Sequence, residues 1–278
     1  VRTLHVVGTP IGNLGDISVR AREALATASR ILAEDTRRAK ALLAHLGISG
    51  KAVQRYDAHA TKRRVANLVA AIEEGQSIAL VSDAGMPGVS DPGAELVQAA
   101  AASGVRIVPI PGPSAVTAAL AASGLSNGPF RFLAFLPRHG RKRRAALERI
   151  ARSEEPVVLF EAPSRLAETL RELAELDPMR RAALCRELTK IHEEVMVAPL
   201  GELAELEREW LGEVTLVIAA SSDPSEPAVA EPADVDREIA ARLAKGESPR
   251  DLSSELARRL GVPRRSAYER VLLVRGKG

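Results

Sequence analysis

At 278 residues the chain exceeds one small module; roughly 150 residues per domain predicts about two domains. Apolar residues at 46% and charged residues at 27% exclude a disordered chain, and a formal charge of +3 is no nucleic-acid signature unless the charge is unevenly placed. The single cysteine, Cys185, excludes an internal disulfide framework and a cysteine-based zinc site, and suits a reducing compartment.

Taken in order, short apolar runs alternate with helix-period segments over the first 125 residues. Strands are predicted at 4–7, 31–33, 52–55, 77–82 and 105–110, and helices at 16–28, 38–46, 62–74, 92–103 and 114–122. This βαβα order with continuous apolar strands predicts a parallel sheet covered on both faces. Asn127-Gly128-Pro129 marks a boundary. Strands follow at 130–136, 157–161, 182–186, 194–197 and 214–220, with helices at 141–151, 164–176 and 202–209. Late strands in close succession predict a mixed sheet. A Pro-, Ser- and acid-rich stretch at 221–234 reads as a linker. Three short helices follow, at 235–245, 249–260 and 263–274. The predicted organisation is α/β: a first domain at 1–125, a second at 126–222, a linker at 223–234 and a helical extension at 235–278. The N-terminal residues run straight into a strand without a signal-peptide core, so a cytoplasmic setting is expected.

Three loops follow predicted strands and are rich in Gly, Pro, Asp and Ser: 8–16, 82–93 and 111–115. Ligands of open parallel sheets bind beyond the carboxyl ends of the strands, and glycine lets backbone approach them closely. Together the loops predict a nucleotide-like ligand. Gly-x-Gly-x-x-Gly and Walker loops are absent, which removes support for hydride or phosphoryl transfer. The five histidines lack metal-ligand spacing, Asp57 and His59 read as a solvated loop pair, and no Gly-x-Ser-x-Gly elbow exists.

The segments Thr9-Pro10-Ile11-Gly12-Asn13-Leu14-Gly15-Asp16-Ile17, Glu34-Asp35-Thr36-Arg37, Leu80-Val81-Ser82-Asp83-Ala84-Gly85-Met86-Pro87, Asp91-Pro92-Gly93 and Pro111-Gly112-Pro113-Ser114-Ala115 occur in that order. They closely resemble the tetrapyrrole-methylase superfamily, and more narrowly its bacterial small-subunit ribosomal RNA cytidine 2′-O-methyltransferases. Phe135-Leu136-Pro137, Glu161-Ala162-Pro163-Ser164-Arg165 and Arg186-Glu187-Leu188-Thr189-Lys190 extend the match. Ala134 stands where the subgroup commonly has Gly, a change expected to matter little. Ala60 follows His59 where Asn is common, so His59 is given no role. The resemblance implies two α/β domains of the tetrapyrrole-methylase type with S-adenosylmethionine in the cleft between them. Its contacts would be Pro10, Asp83, Ala84, Gly85, Gly88, Ser114, Ala115 and Ala162. The resemblance further implies 2′-O-methylation of a cytidine in the decoding region of 16S ribosomal RNA, presented free or in the small subunit, by a homodimer.

Methyl transfer from a sulfonium gains mostly from alignment, up to roughly 7–11 kcal/mol. A base that takes the hydroxyl proton adds about 10²–10⁴-fold. Asp35, Glu161 and Glu187 are candidates, each with an ion pair to a neighbouring Arg or Lys as the competing reading; no metal is required. Between 137 and 152 stand Arg138, Arg141, Lys142, Arg143, Arg144, Arg149 and Arg152 against Glu148 alone. Such a patch supplies phosphate contacts, although a solvated basic face has the same composition. The resemblance favours Arg141, Lys142, Arg143 and Arg144 as RNA contacts, and the tail offers Arg264 and Arg265 near a corner resembling a helix-turn-helix. Residues 221–244 carry −4 and residues 245–278 carry +5, so the small total hides separate basic zones. Four Phe, two Tyr and one Trp leave few rings for stacking, so recognition through phosphates and RNA shape is expected. A tetrapyrrole-type small-molecule methylase and a non-catalytic cofactor-binding RNA-binding protein are the alternatives.

Overall fold

The computed structural model describes residues 2–221, 232–260 and 264–275. Its first half comprises β1 (Thr3–Val7), α1 (Val19–Thr27), β2 (Arg30–Ala33), α2 (Thr36–His45), β3 (Ala52–Arg55), α3 (Lys62–Glu73), β4 (Ser77–Val81), α4 (Ala94–Ala102), β5 (Arg106–Ile110) and α5 (Ala115–Ser123). The strands form one parallel sheet in the order β3-β2-β4-β1-β5. Strand alternation divides β4 between two cores. Ile78 and Leu80 pack with Leu68, Ile72 and Leu96 from α3 and α4, while Ala79 and Val81 pack with Leu25 and Leu43 from α1 and α2. This double burial explains the unbroken apolar runs.

The second half comprises β6 (Arg131–Phe135), α6 (Gly140–Ala151), β7 (Val157–Glu161), α7 (Pro163–Leu176), β8 (Arg181–Arg186), β9 (Glu194–Pro199), α8 (Leu200–Ala204) and β10 (Val214–Ile218). The sheet order is β6-β7-β10-β8-β9, with β6 and β7 parallel and every other pair antiparallel. Leu159 and Leu216 face a core shared with Leu147, Leu166 and Leu170. Val158 and Val217 face the other way, onto Val116 and Ala119 of α5 and Ile11 of the first loop. A helix of the first half thus covers one face of the second sheet, and both sheets lie in one compact unit, Val1–Ala220.

Two predicted helices differ in extent. Residues 14–16 form a separate 3-10 turn, and α1 begins only after Ser18, whose side chain accepts from Ala21 N–H at 3.1 Å as an N-cap. The helix expected at 202–209 is the single turn α8, because Arg208 turns away to pair with Glu194 and to lie over the Trp210 ring at 4.1 Å. Most of the predicted linker, 222–231, lies outside the described residues. The second unit, Ser221–Gly278, contains α9 (Pro232–Ala244), α10 (Pro249–Leu260) and α11 (Arg264–Arg275). Ile239, Leu252, Leu256, Ala267 and Val271 form its core, and Arg242 pairs with Glu238, Glu247 and Glu255.

Candidate active site

The three glycine-rich loops follow β1, β4 and β5, which are neighbours in the sheet. They are bonded to one another. Gly8 N–H donates to Ile110 C=O at 2.9 Å, and Thr9 and Gly85 exchange backbone hydrogen bonds of 2.9 and 3.1 Å. The Thr9 and Ser82 hydroxyls both donate to Gly85 C=O, at 3.3 and 3.0 Å. A Cβ on Gly8 would stand 2.6 Å from Gly112 N, so the first and third loops approach at backbone distance. The first loop also meets the second half. Asn13 N–H donates to Thr189 Oγ1 at 3.1 Å, and a Cβ on Gly12 would stand 2.5 Å from Lys190 Cγ.

These contacts frame a cleft of about 480 Å³ at the carboxyl edge of the parallel sheet. Ala84, Gly85, Met86, Val89, Ser114, Ala115 and Val116 line one side; Phe135, Phe160, Glu161, Ala162 and residues 212–215 line the other. A volume of this size suits a cofactor-sized ligand. Small residues and backbone dominate the inner wall. The lining carries four acids: Glu161 is buried and paired with Arg165, Glu213 pairs with Lys190 at 3.2 Å, Asp83 lies 3.9 Å from Arg38, and Asp91 stands outside these pairs.

Six of the eight expected cofactor contacts, Asp83, Ala84, Gly85, Ser114, Ala115 and Ala162, are on this wall. Pro10 and Gly88 are not; their neighbours Ile11 and Val89 are. Asp83 Oδ1 accepts from Asp35 N–H at 2.9 Å, and its other oxygen lies 3.9 Å from Arg38.

The three expected bases fare differently. Asp35 is the N-cap of α2 and is absent from the cleft wall; its carboxylate accepts from Arg37 N–H and from the Arg37 guanidinium, both at 2.8 Å. The Arg37 hydrogen bond holds its pKa down at about 2. Glu161 reaches the cleft wall, but its side chain is wholly buried: Oε2 accepts from Thr169 at 2.7 Å, Oε1 from Ala162 N–H at 2.8 Å, and Arg165 pairs with it. Glu187 stands behind the wall. Its carboxylate accepts from Glu213 N–H at 2.8 Å and from Lys190 at 2.7 Å, bracing Gly212 and Glu213, which do line the cleft. Burial pushes the Glu187 pKa up, but the Lys190 and Glu213 hydrogen bonds with the Lys190 and Arg186 charges outweigh it and hold the group below its ordinary value.

Asp91 is the carboxylate that sequence reasoning left without a role. It lines the cleft, and burial, then the charge of Glu34, raises its pKa to about 6, with Asp83 adding to the effect and a Ser82 hydrogen bond opposing it. The signal available in sequence was three acids, Glu34, Asp83 and Asp91, in loops that follow strands.

Arg141, Lys142 and Arg144 are exposed on α6. Arg143 corrects the basic-patch expectation: it is 4% exposed, donates to Thr169 at 2.9 Å and to Pro137 C=O at 3.2 Å, and pairs with Glu172. It occupies the buried stripe of α6 with Leu147 and Ile150, where no phosphate can reach it. Arg265 is exposed and pairs with Glu269 at 3.0 Å, whereas the Arg264 side chain and residues 261–263 of the expected corner lie outside the described residues. Among the described residues no group of three His, Cys, Asp or Glu is placed to hold a metal, and no helix is long and apolar enough to cross a membrane.

A family profile described as tetrapyrrole (corrin/porphyrin) methylases matches residues 3–204. The chain is 41% identical over 271 residues to a "Ribosomal RNA small subunit methyltransferase I" of Xylella fastidiosa, covering 96% of this chain and 97% of that one. It is 40% identical over 278 residues to the protein of the same name from Synechocystis sp., covering 99% of each. Among solved structures, uroporphyrin-III C-methyl transferase from Thermus thermophilus, complexed with S-adenyl homocysteine, matches 78% of this chain and 97% of its own with a TM-score of 0.55 at 18% identity.

Proposed function

The chain belongs to the tetrapyrrole methylase family, in its ribosomal RNA small subunit methyltransferase I branch, and we propose that it transfers the methyl group of S-adenosylmethionine to the 2′-hydroxyl of a cytidine in the decoding region of small-subunit ribosomal RNA. The observation that carries the reading is the cleft, in which three bonded glycine-rich loops face residues 160–163 at the end of β7, while Phe135 on the same lining is followed five residues later by α6 with its exposed basic residues. S-adenosylmethionine supplies a methyl group already activated on a sulfonium. The protein supplies alignment and backbone contacts.

The loop backbones of Ala84, Gly85 and Ala115 hold the cofactor without side chains in the way, and Asp83 takes a hydroxyl or the ammonium group. Asp91 takes the proton from the ribose hydroxyl, since a carboxylate that protonates near 6 is a better base at neutral pH than one fixed near 2. Glu161 and Glu187 hold the wall, and Arg141, Lys142 and Arg144 contact phosphates.

The same reading places the protein in the cytoplasm, where its substrate is made, and takes it as a homodimer; sedimentation at twice the 29.6 kDa chain mass tests the latter. The activity is tested by incubating the protein with methyl-labelled S-adenosylmethionine and small ribosomal subunits from cells lacking the modification. Label on a cytidine ribose supports the reading. Cofactor binding without transfer to the subunits, or label only on a tetrapyrrole when one is supplied in a parallel incubation, contradicts it.

A further inference from the structure

Three of the four phenylalanines gather at one side of the cleft. Phe132 meets Phe160 edge-to-face with centroids 5.0 Å apart, and Phe135 tilts against Phe160 at 5.6 Å. Phe160 and Phe135 both line the cleft; Phe160 is half-buried, and Phe135 is 54% exposed. A single exposed apolar side chain needs no explanation by itself. Two further features set Phe135 apart.

The first is its backbone. Residues three apart in a regular strand point to opposite faces, yet Phe132 and Phe135 both contact Phe160. The β6–β7 register shifts between them, and Ala134 adopts φ +54°, a left-handed conformation that costs a non-glycine residue. A bulge of this kind re-aims a side chain beside a site, and such strain persists where the surrounding structure holds it. Here it turns Phe135 into the cleft. The second feature is its place in the chain, five residues before α6, whose first turns expose Arg141, Lys142 and Arg144.

We propose that Phe135 is the platform on which the nucleobase of the target nucleotide stacks while its ribose enters the cleft. The inference rests on the activity proposed above and names the residue that holds its substrate. A base has a flat face of every identity, so one buttressed ring grips the displaced nucleotide while phosphate contacts on α6 hold its neighbours. The scarcity of aromatics noted in the composition is therefore compatible with stacking, because one base at one lip needs only one exposed ring.

The test compares Phe135→Ala, Phe135→Leu and Phe135→Trp with wild type, reading kcat and KM on small ribosomal subunits and S-adenosylhomocysteine affinity by calorimetry. In the Ala variant KM should rise about 5- to 150-fold while kcat and product affinity stay near wild type. Leu refills the contact with Phe160 without a flat aromatic face, so it should behave like Ala, and Trp should restore KM to within about threefold. Recovery by Leu would assign Phe135 to packing alone, weakened S-adenosylhomocysteine binding would assign it to the cofactor, and an unchanged KM in Ala would remove it from the substrate; each overturns the proposal. Wild-type protein that transfers no methyl group to subunits overturns the underlying activity and this inference with it, whereas failure of the stacking role alone leaves wild-type transfer intact.

Discussion

Replacing Gly8 with Ala adds one methyl group at the point where two of the cleft loops touch. The new Cβ would lie 2.6 Å from Gly112 N, 2.7 Å from Gly112 Cα and 2.7 Å from Met86 Sδ. The Met86 side chain can swing away, but Gly112 is backbone, and ordinary carbon contact requires about 3.5–4.0 Å. The loops must therefore part by roughly 1 Å, against the Gly8–Ile110 and Thr9–Gly85 hydrogen bonds. Overpacking of this kind costs about 1–3 kcal/mol. In a unit of about 220 residues that lowers Tm by about 2–12 °C. Cofactor affinity should fall at least about tenfold, because displacement of positioning groups by about 1 Å is costly at a preorganised site. The matched control is Gly128→Ala, whose Cβ would meet nothing within 4 Å. Thermal unfolding and calorimetric titration with S-adenosylmethionine read both effects. A Gly8→Ala protein indistinguishable from the Gly128→Ala control in both measurements would refute the close approach of the loops and its role in binding.

Other expectations follow from particular residues. Ala134→Gly relieves the left-handed strain at φ +54° by about 1–2 kcal/mol and gives back part of that as unfolded-state entropy, so denaturant titration should show a net gain of about 0.5 kcal/mol; a loss would contradict the strain. Because the folded-state pKa of Asp91 is raised from 3.8 to about 6, its contribution to stability is complete below pH 3.8 and is lost as pH rises through 6. Asp91→Asn should remove that decline, so its advantage over wild type grows between pH 4 and 6, while its methyl transfer at pH 7.5 drops about 10²-fold or more; an unchanged rate would take the base role from Asp91. Arg143→Ala should destabilise the protein by about 1–3 kcal/mol, chiefly through the lost bonds to Thr169 and Pro137 C=O at a buried position, whereas Arg144→Ala leaves stability unchanged and lowers the log–log salt slope of RNA binding by about 1; the reverse outcome would mean that Arg143 contacts RNA. Cys185 is buried, and burial, then the charge of Glu193, raises its thiol pKa to about 11, so a thiol reagent should modify it only in denaturant; rapid reaction of the native protein would contradict that burial.

Much of the architecture was legible because its causes are local. The run Ile78–Val81 is apolar at every position, as a doubly covered strand requires, and glycine and proline marked the loops that form the cleft. The ends of α1 and α8 were not, since the Ser18 cap competes with a helical pattern that starts earlier, and the Arg208 pair with Glu194 reaches across to another strand. Arg143 was misread as part of a basic patch even though positions 143, 147 and 150 share one helix face; the burial of that face was the available clue. The raised pKa of Asp91 depends first on its burial and then on Glu34, and the aim of Phe135 on a bulge against β7; both arise from tertiary packing. The expectation that Ala134 would matter little overlooked its left-handed backbone for the same reason.

The central claim is that the cleft brings a cationic methyl donor to a ribose of small-subunit ribosomal RNA. Mass spectrometry of nuclease digests from small subunits treated with the protein and S-adenosylmethionine tests it most directly. One added methyl group on a cytidine 2′-oxygen is expected, with a reduced yield at limiting cofactor in a variant whose loops are forced apart at Gly8. Methylation of a base, or no added methyl group with the cofactor bound, would contradict it.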